Sequence, residues 1–325
     1  MVKPTWAIEM DCLNNDCSNL RAGATLAGAY SFYTVCDLLS DVLNNGHCIT
    51  KYMVSRLPKT VVYVGNPMPP IEFTAVFEEI KKTGRKIIPY VAFEGDLYMT
   101  YFLEFIVPSQ WLADLARKRG LKVIDVIPHG IELLQIPHKP FEESRDFLYI
   151  AGGDVAGRKF PGYLKPFYQE YGRWIDVVTD DKNKFKDYFH VIAKAYSMPR
   201  TELYKLYGKY RFYFNLSDSE GFGLTPLEAA SIGTVPILGH FPPFTEIYND
   251  DCAVWIDWHG DIAEQDCCGF QIVHRHVLNV KDVIDAFNRA RLMRKDEWID
   301  RSEKCRELAR KYDYKKVYSR FLNYV

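Results

Sequence analysis

The stretch from Tyr210 to Leu238 constrains the fold more than any other part of the chain. An apolar, aromatic run, Tyr210-Arg211-Phe212-Tyr213-Phe214-Asn215-Leu216, reads as a buried strand. A glycine-bearing loop follows, from Ser217 to Gly223. Thr225 then offers an N-cap, Pro226 suits a first helical position, and Glu228 lies three residues after the cap, as in a capping box. Gly233 predicts the end of that helix, and Val235-Pro236-Ile237-Leu238 reads as the next strand.

Strand, glycine loop, helix and strand have a chemical use. A helix start presents unpaired backbone N–H groups and the positive end of a dipole, which suits a phosphate. Gly221 and Gly223 let the backbone approach a ligand. Glu220 falls at the strand end, where ligands of open α/β sheets bind, and a carboxylate there can accept hydrogen bonds from sugar hydroxyls. The residues alone leave a plainer alternative open: Glu228 as half of a capping box and Glu220 as a loop carboxylate.

The run Glu220-Gly221-Phe222-Gly223-Leu224-Thr225-Pro226-Leu227-Glu228 resembles the E-x7-E motif of retaining, GT-B-fold glycosyltransferases of family four. Leu216-Ser217 before it and Ala229-Ala230-Ser231-Ile232-Gly233-Thr234-Val235-Pro236-Ile237 after it are similar to the same pattern. The resemblance implies an α/β chain of two Rossmann-like domains facing a central cleft. It implies that Glu220 contacts the donor sugar and Glu228 the nucleotide ribose. The diphosphate would lie on the backbone around Gly223 to Thr225, in a donor loop that includes Gly221, Phe222 and Leu224.

A length of 325 residues suits two domains, and 48% hydrophobic content suffices for two cores. The resemblance puts an acceptor-side domain at 1–140, a nucleotide-sugar domain at 141–310, and a last helix, 311–325, crossing back to the first. The 15% aromatic content could serve packing or sugar stacking. A net charge of −1 gives no sign of a nucleic-acid binder. Without a signal peptide or an apolar run of membrane-spanning length, the expected location is cytoplasmic. Two basic clusters, around Lys81 and Arg117, read as solvated helix ends, with peripheral contact to anionic lipid as the alternative. Eight cysteines without paired CxxC motifs argue against zinc and are expected as free thiols, with a Cys12–Cys17 bridge as the alternative.

In the first domain, strands are expected near Thr5–Met10, Val61–Gly65, Lys86–Phe93, Phe105–Val107 and Val123–Ile127. The small-residue stretch holding Gly23 and Gly28 opens a first helix, at a place where many α/β enzymes bind phosphate or substrate. Many members of the resembled family have a histidine after the third of these strands. This chain has Glu94 and Asp96 there, which could take its place or only cap the next turn. Pro128-His129-Gly130-Ile131-Glu132 resembles the family segment closing the first domain, and His129 reads as structural. Residues 133–145, polar and with prolines, read as a linker.

In the second domain, a strand runs into Gly152-Gly153, then Arg158 and Lys159. The resemblance implies that Lys159 clamps the donor diphosphate, with Arg158 taking the role of an arginine the family carries earlier, where this chain has Asp154. A solvated loop is the plainer alternative. By position, His190 and Ile192 reach a strand end beside the nucleotide base. Helices are expected over Thr201–Tyr207, Val277–Arg291, Lys295–Tyr312 and Asp313–Val325. The expected activity is transfer of a sugar from a UDP- or GDP-sugar to a sugar, lipid or protein acceptor, with retention and with no metal or other cofactor. A phosphorylase-like enzyme or a non-catalytic sugar-nucleotide binder on the same fold are the alternatives.

Overall fold

The computed structural model describes residues 7–9, 38–39, 41–42, 47–49, 60–64, 82, 84, 86–95, 97, 104–152, 157–195, 197–267 and 271–324. The chain divides into two compact units, one of residues 1–131, 268–272 and 312–325, the other of residues 132–267 and 273–311.

The first unit holds a parallel sheet of β1 (Ala7–Glu9), β2 (His47–Ile49), β3 (Thr60–Val64), β4 (Lys86–Tyr90), β5 (Glu104–Val107) and β6 (Lys122–Val126), in the order β2-β1-β3-β4-β5-β6. Runs such as Phe105-Ile106-Val107 are wholly buried, as a parallel sheet covered on both faces demands. Helix α1 (Gln110–Lys118) starts where the Ser109 hydroxyl accepts from the Leu112 amide at 3.3 Å, and it buries Leu112, Ala113 and Ala116.

The second unit is built on the parallel sheet β12-β11-β10-β7-β8-β9. Its strands are β7 (Arg145–Gly152), β8 (Ile175–Thr179), β9 (His190–Ala193), β10 (Tyr210–Phe214), β11 (Val235–Gly239) and β12 (Val254–Ile256). A two-stranded sheet is added, β13 (Trp258–Cys267) with β14 (Gln271–Leu278). Helices α2 (Lys165–Tyr171), α3 (Lys182–Phe185), α4 (Arg200–Tyr207), α5 (Leu224–Ile232), α6 (Phe244–Ile247), α7 (Val280–Arg291) and α8 (Lys295–Ala309) complete it. In the first unit, α9 (Tyr314–Tyr318) continues into a 3-10 turn, Ser319–Tyr324.

Many aromatic side chains are core. Phe147 stacks on Phe287 with centroids 4.5 Å apart, and Phe167 on Phe214 at 5.6 Å. Helix α5 is buried on almost all sides and is closed by Gly233 at φ 94°. Its last carbonyls accept from α8: Ser302 donates to Gly233 at 2.6 Å and Arg306 to Ile232 at 3.0 Å.

Four expectations change. Cys252 and Cys305, expected as free thiols, form a disulfide that joins the segment before β12 to α8. The hairpin β13–β14 fills a stretch in which no element was expected. Its second strand runs to Leu278, so α7 starts only at Val280, where Asn279 accepts from the Lys281 amide at 2.9 Å. The proline-bearing stretch read as a linker is bound along the second unit: Lys139 donates to Gly208 and Arg145 to Lys209, both at 2.9 Å. Residues 180–186, whose run of charges reads as a loop, contain α3, capped by Asp181.

Candidate active site

In the second sheet, β7, β8 and β9 are added in one direction and β10, β11 and β12 in the other. The strand order therefore reverses between β7 and β10, which pair directly. The carboxyl ends of such neighbours form the ligand crevice of open α/β sheets. The segment after β7 carries Arg158 and Lys159, and the segment after β10 carries Glu220. Topology thus brings an adjacent pair, Arg158 and Lys159, to Glu220, 61 positions beyond Lys159.

Their side chains meet. Lys159 Nζ is ion-paired with Glu220 Oε1, and Arg158 Nη1 lies 3.4 Å from the same oxygen. Arg158 also donates to the Ser219 carbonyl at 3.0 Å. Both Lys159 and Glu220 are buried. The two segments are bound by their backbones too, the Asp218 amide donating to the Arg158 carbonyl at 3.1 Å. Asp218 is fully buried beside Arg275 and Tyr163; burial pushes its carboxyl up to about 6 against the pull of Arg275.

Helix α5 starts next to this cluster, two residues earlier than expected. Gly223, not Thr225, is the N-cap, at φ 90° and with no side-chain cap. A Cβ there would stand 2.5 Å from Phe244 Cε1, so only glycine fits. Thr225 is in the first turn, where its Oγ1 accepts from Tyr213 at 2.7 Å. With no side-chain cap, the first amides of α5 are left for another acceptor, and Pro226 has no N–H to satisfy.

This rules out the capping-box alternative for Glu228. Its carboxylate accepts from the Tyr207 hydroxyl at 3.2 Å and faces Arg200 Nη2 at 3.8 Å. Arg200 Nε also approaches Glu132 at 3.7 Å. Burial raises the Glu228 carboxyl above its ordinary range, and Arg200 opposes it. Gly221 and Phe222 of the preceding loop, and Leu224 at the start of the helix, are buried.

Other predicted site residues lie elsewhere. His190 is at the amino end of β9, its Nδ1 2.6 Å from Asp176 at the amino end of β8; that is the opposite end of the sheet from Glu220. Ile192, further along β9, is half-buried. In the first unit, Glu94 is buried and accepts from Arg119 at 2.6 Å. His129 is buried against Tyr90, with Nδ1 2.9 Å from the tyrosine oxygen. Gly23, Gly28, Asp96 and Gly153, and with them the alternative of a Cys12–Cys17 bridge, lie outside the described residues. Arg275 and Asp218 were not singled out by the sequence, which shows neither the burial of Asp218 nor its pairing with a residue 57 positions on.

No protein-family model matches the chain. It is 25% identical over 214 residues to a protein named glycosyltransferase 41 of Sulfolobus islandicus filamentous virus, across 66% of this chain and 62% of that one. It is 23% identical over 329 residues to one named glycosyltransferase 335 of Sulfolobus islandicus rod-shaped virus 1, across 90% and 96%. The chain thus spans less than two thirds of the first relative and nearly all of the second. Among solved structures, Anabaena HepE in complex with UDP and glucose superposes with a TM-score of 0.65 at 9% identity, covering 98% of both chains. The pneumococcal O-GlcNAc transferase GtfA, with UDP and GlcNAc, gives a TM-score of 0.56 at 15% identity, over 84% of this chain and 58% of that one. The fold is that of the GT-B glycosyltransferases.

Proposed function

We propose that the chain is a glycosyltransferase resembling family four, which moves a sugar from a UDP- or GDP-sugar to an acceptor with retention at the anomeric carbon. The observation that carries the reading is the convergence of Arg158, Lys159 and Glu220 beside the uncapped start of α5, at the point where strand order reverses. Structural neighbours bound to UDP support a uridine nucleotide as donor.

In this reading the diphosphate takes the place that Glu220 holds on Arg158 and Lys159, and the amides at Gly223 to Thr225 complete its cradle. Two preorganised cations and a helix start stabilise the charge that grows on the leaving diphosphate, so no metal is required. Glu220, released from the cations, accepts hydrogen bonds from the donor sugar. Glu228, held by Tyr207 and Arg200, is the candidate ribose contact. A leaving phosphate oxygen takes the acceptor's proton, and the new glycosidic bond forms on the face the nucleotide leaves.

The test incubates the protein with a panel of UDP- and GDP-sugars and candidate acceptors, following nucleotide release and the anomeric configuration of the product by NMR. Release that depends on acceptor, gives a retained product and survives chelator supports the reading. Activity abolished by chelator and restored by Mn²⁺ or Mg²⁺ overturns its metal-free part. An inverted product overturns retention.

A further inference from the structure

Arg275 has no part in the roles above, yet it joins both segments of the site. It lies on β14, and its Nη2 donates to Asp218 Oδ2 at 2.8 Å and to the Gly157 carbonyl at 3.2 Å. Its Nε is 2.7 Å from Asp218 Oδ1. Gly157 immediately precedes Arg158, and Asp218 stands two residues before Glu220. The Asp218 side chain is fully enclosed, with Tyr163 donating to Oδ2 at 3.2 Å. The next residue of β14 adds a backbone bond, His276 N–H to the Asp218 carbonyl at 2.8 Å. His276 is itself fixed, stacked on Phe241 at 4.2 Å and paired with Asp261.

We propose that Arg275 is a positioning residue of the donor site: it neutralises the buried Asp218 carboxylate and so keeps Arg158 and Lys159 for the donor's diphosphate. This rests on the glycosyltransferase reading. A buried carboxylate without a cation is costly and draws in the nearest one. After Arg275, the cation whose charge bears on Asp218 is Arg158. Without Arg275, Arg158 swings from Ser219 and Glu220 toward Asp218. The diphosphate then meets one cation fewer and an unneutralised negative charge close by. The hairpin β13–β14, an addition to the parallel sheet, is thereby part of the donor site although it supplies no group that touches the donor.

Inert bracing and charge allocation make different predictions. An inert brace, once removed, lowers the melting temperature but leaves anion affinity intact in the folded protein. Charge allocation lowers affinity in the folded protein, and removing the Asp218 charge restores it. The experiment uses the full chain as Arg275→Met, Arg275→Lys and the double variant Arg275→Met with Asp218→Asn. Calorimetry with UDP, GDP and inorganic pyrophosphate is run below the melting temperature of each. Arg275→Met is expected to weaken UDP and pyrophosphate about tenfold or more, the effect of a charge-assisted hydrogen bond. Arg275→Lys recovers part of the loss, and the double variant most of it. If Arg275→Met does not fold, the lysine and double variants carry the test. Parent-like binding by folded Arg275→Met, or a double variant that folds but binds less than a third as tightly as the parent, overturns the proposal. If the parent binds none of the three probes, the glycosyltransferase reading itself falls, and this inference with it.

Discussion

Burial lowers the His129 imidazole from its ordinary value to about 3, so it is neutral in the folded protein at physiological pH. Tyr90 donates to the Ile127 carbonyl at 2.7 Å, which leaves its oxygen to accept from His129 Nδ1–H at 2.9 Å. The pKa in the unfolded chain is about 6.5, above the folded one, so the unfolded state binds the extra proton between the two values. Stability is therefore lost as pH falls from about 6.5 toward about 3, by at most about 1.4 kcal/mol per pH unit. Urea midpoints at pH 7, 5 and 4 should show a shallower acid loss in His129→Gln than in the parent; equal losses refute the assignment. Lys159→Ala is expected to cut turnover by about 10²–10³, since one preorganised contact at the developing charge is lost, and to lower the melting temperature, since buried Glu220 keeps only Arg158 as its cation. Near-parental turnover would sink the clamp. Glu228→Ala strips Arg200 and Tyr207 of a buried partner and should cost about 1–3 kcal/mol of stability as well as UDP affinity. Glu228→Gln, able to accept from Tyr207, should spare more of the stability than of the affinity. Equal UDP binding by all three proteins removes the ribose role.

At the scale of elements, Gly223 and the disulfide carry the clearest expectations. Gly223→Ala puts a Cβ into Phe244 at a positive φ, so it should destabilise by about 1–3 kcal/mol and shift the start of α5. Unchanged melting and unchanged UDP affinity in that variant would contradict it. The Cys252–Cys305 bridge closes a separation of 53 residues. By chain entropy its removal costs about 4 kcal/mol, read as a drop in melting temperature for Cys252→Ala/Cys305→Ala; no drop would show that the bridge does not constrain the unfolded chain. The strands β7, β10 and β11 were legible because each is a compact apolar run, and α5 because Gly233 marks its end. The N-cap was misplaced because a glycine in left-handed conformation leaves no side-chain signature, whereas Thr225 looks like a cap. The hairpin β13–β14 was missed because Trp258–Cys267 mixes charged, small and aromatic residues without a clean period of two. The Cys252–Cys305 and Asp218–Arg275 pairs are contacts across 53 and 57 positions, which no local pattern encodes.

At the scale of the molecule, every described residue proposed to hold the nucleotide lies in the second unit: Arg158 and Lys159, Glu220, the start of α5, and Glu228. The proposed site draws on the segments after two neighbouring strands of one sheet, so UDP alone should find its contacts there. Binding stabilises whatever it touches through mass action, by about 2.7 kcal/mol when the ligand is at 100 times its dissociation constant. Hydrogen exchange resolves where that stabilisation falls, because locally opening segments close when bound. Amides of residues 157–159 and 217–228 should slow on addition of UDP. Those of β5 and β6 in the first unit should exchange as before. Inorganic pyrophosphate should protect the residues around Arg158 and Gly223 but spare Glu228, since it has no ribose. If UDP protects β5 and β6 and leaves 217–228 unchanged, the nucleotide site is in the first unit. The E-x7-E stretch would then be a packing motif, and the roles of Lys159, Glu220 and Glu228 would fall together.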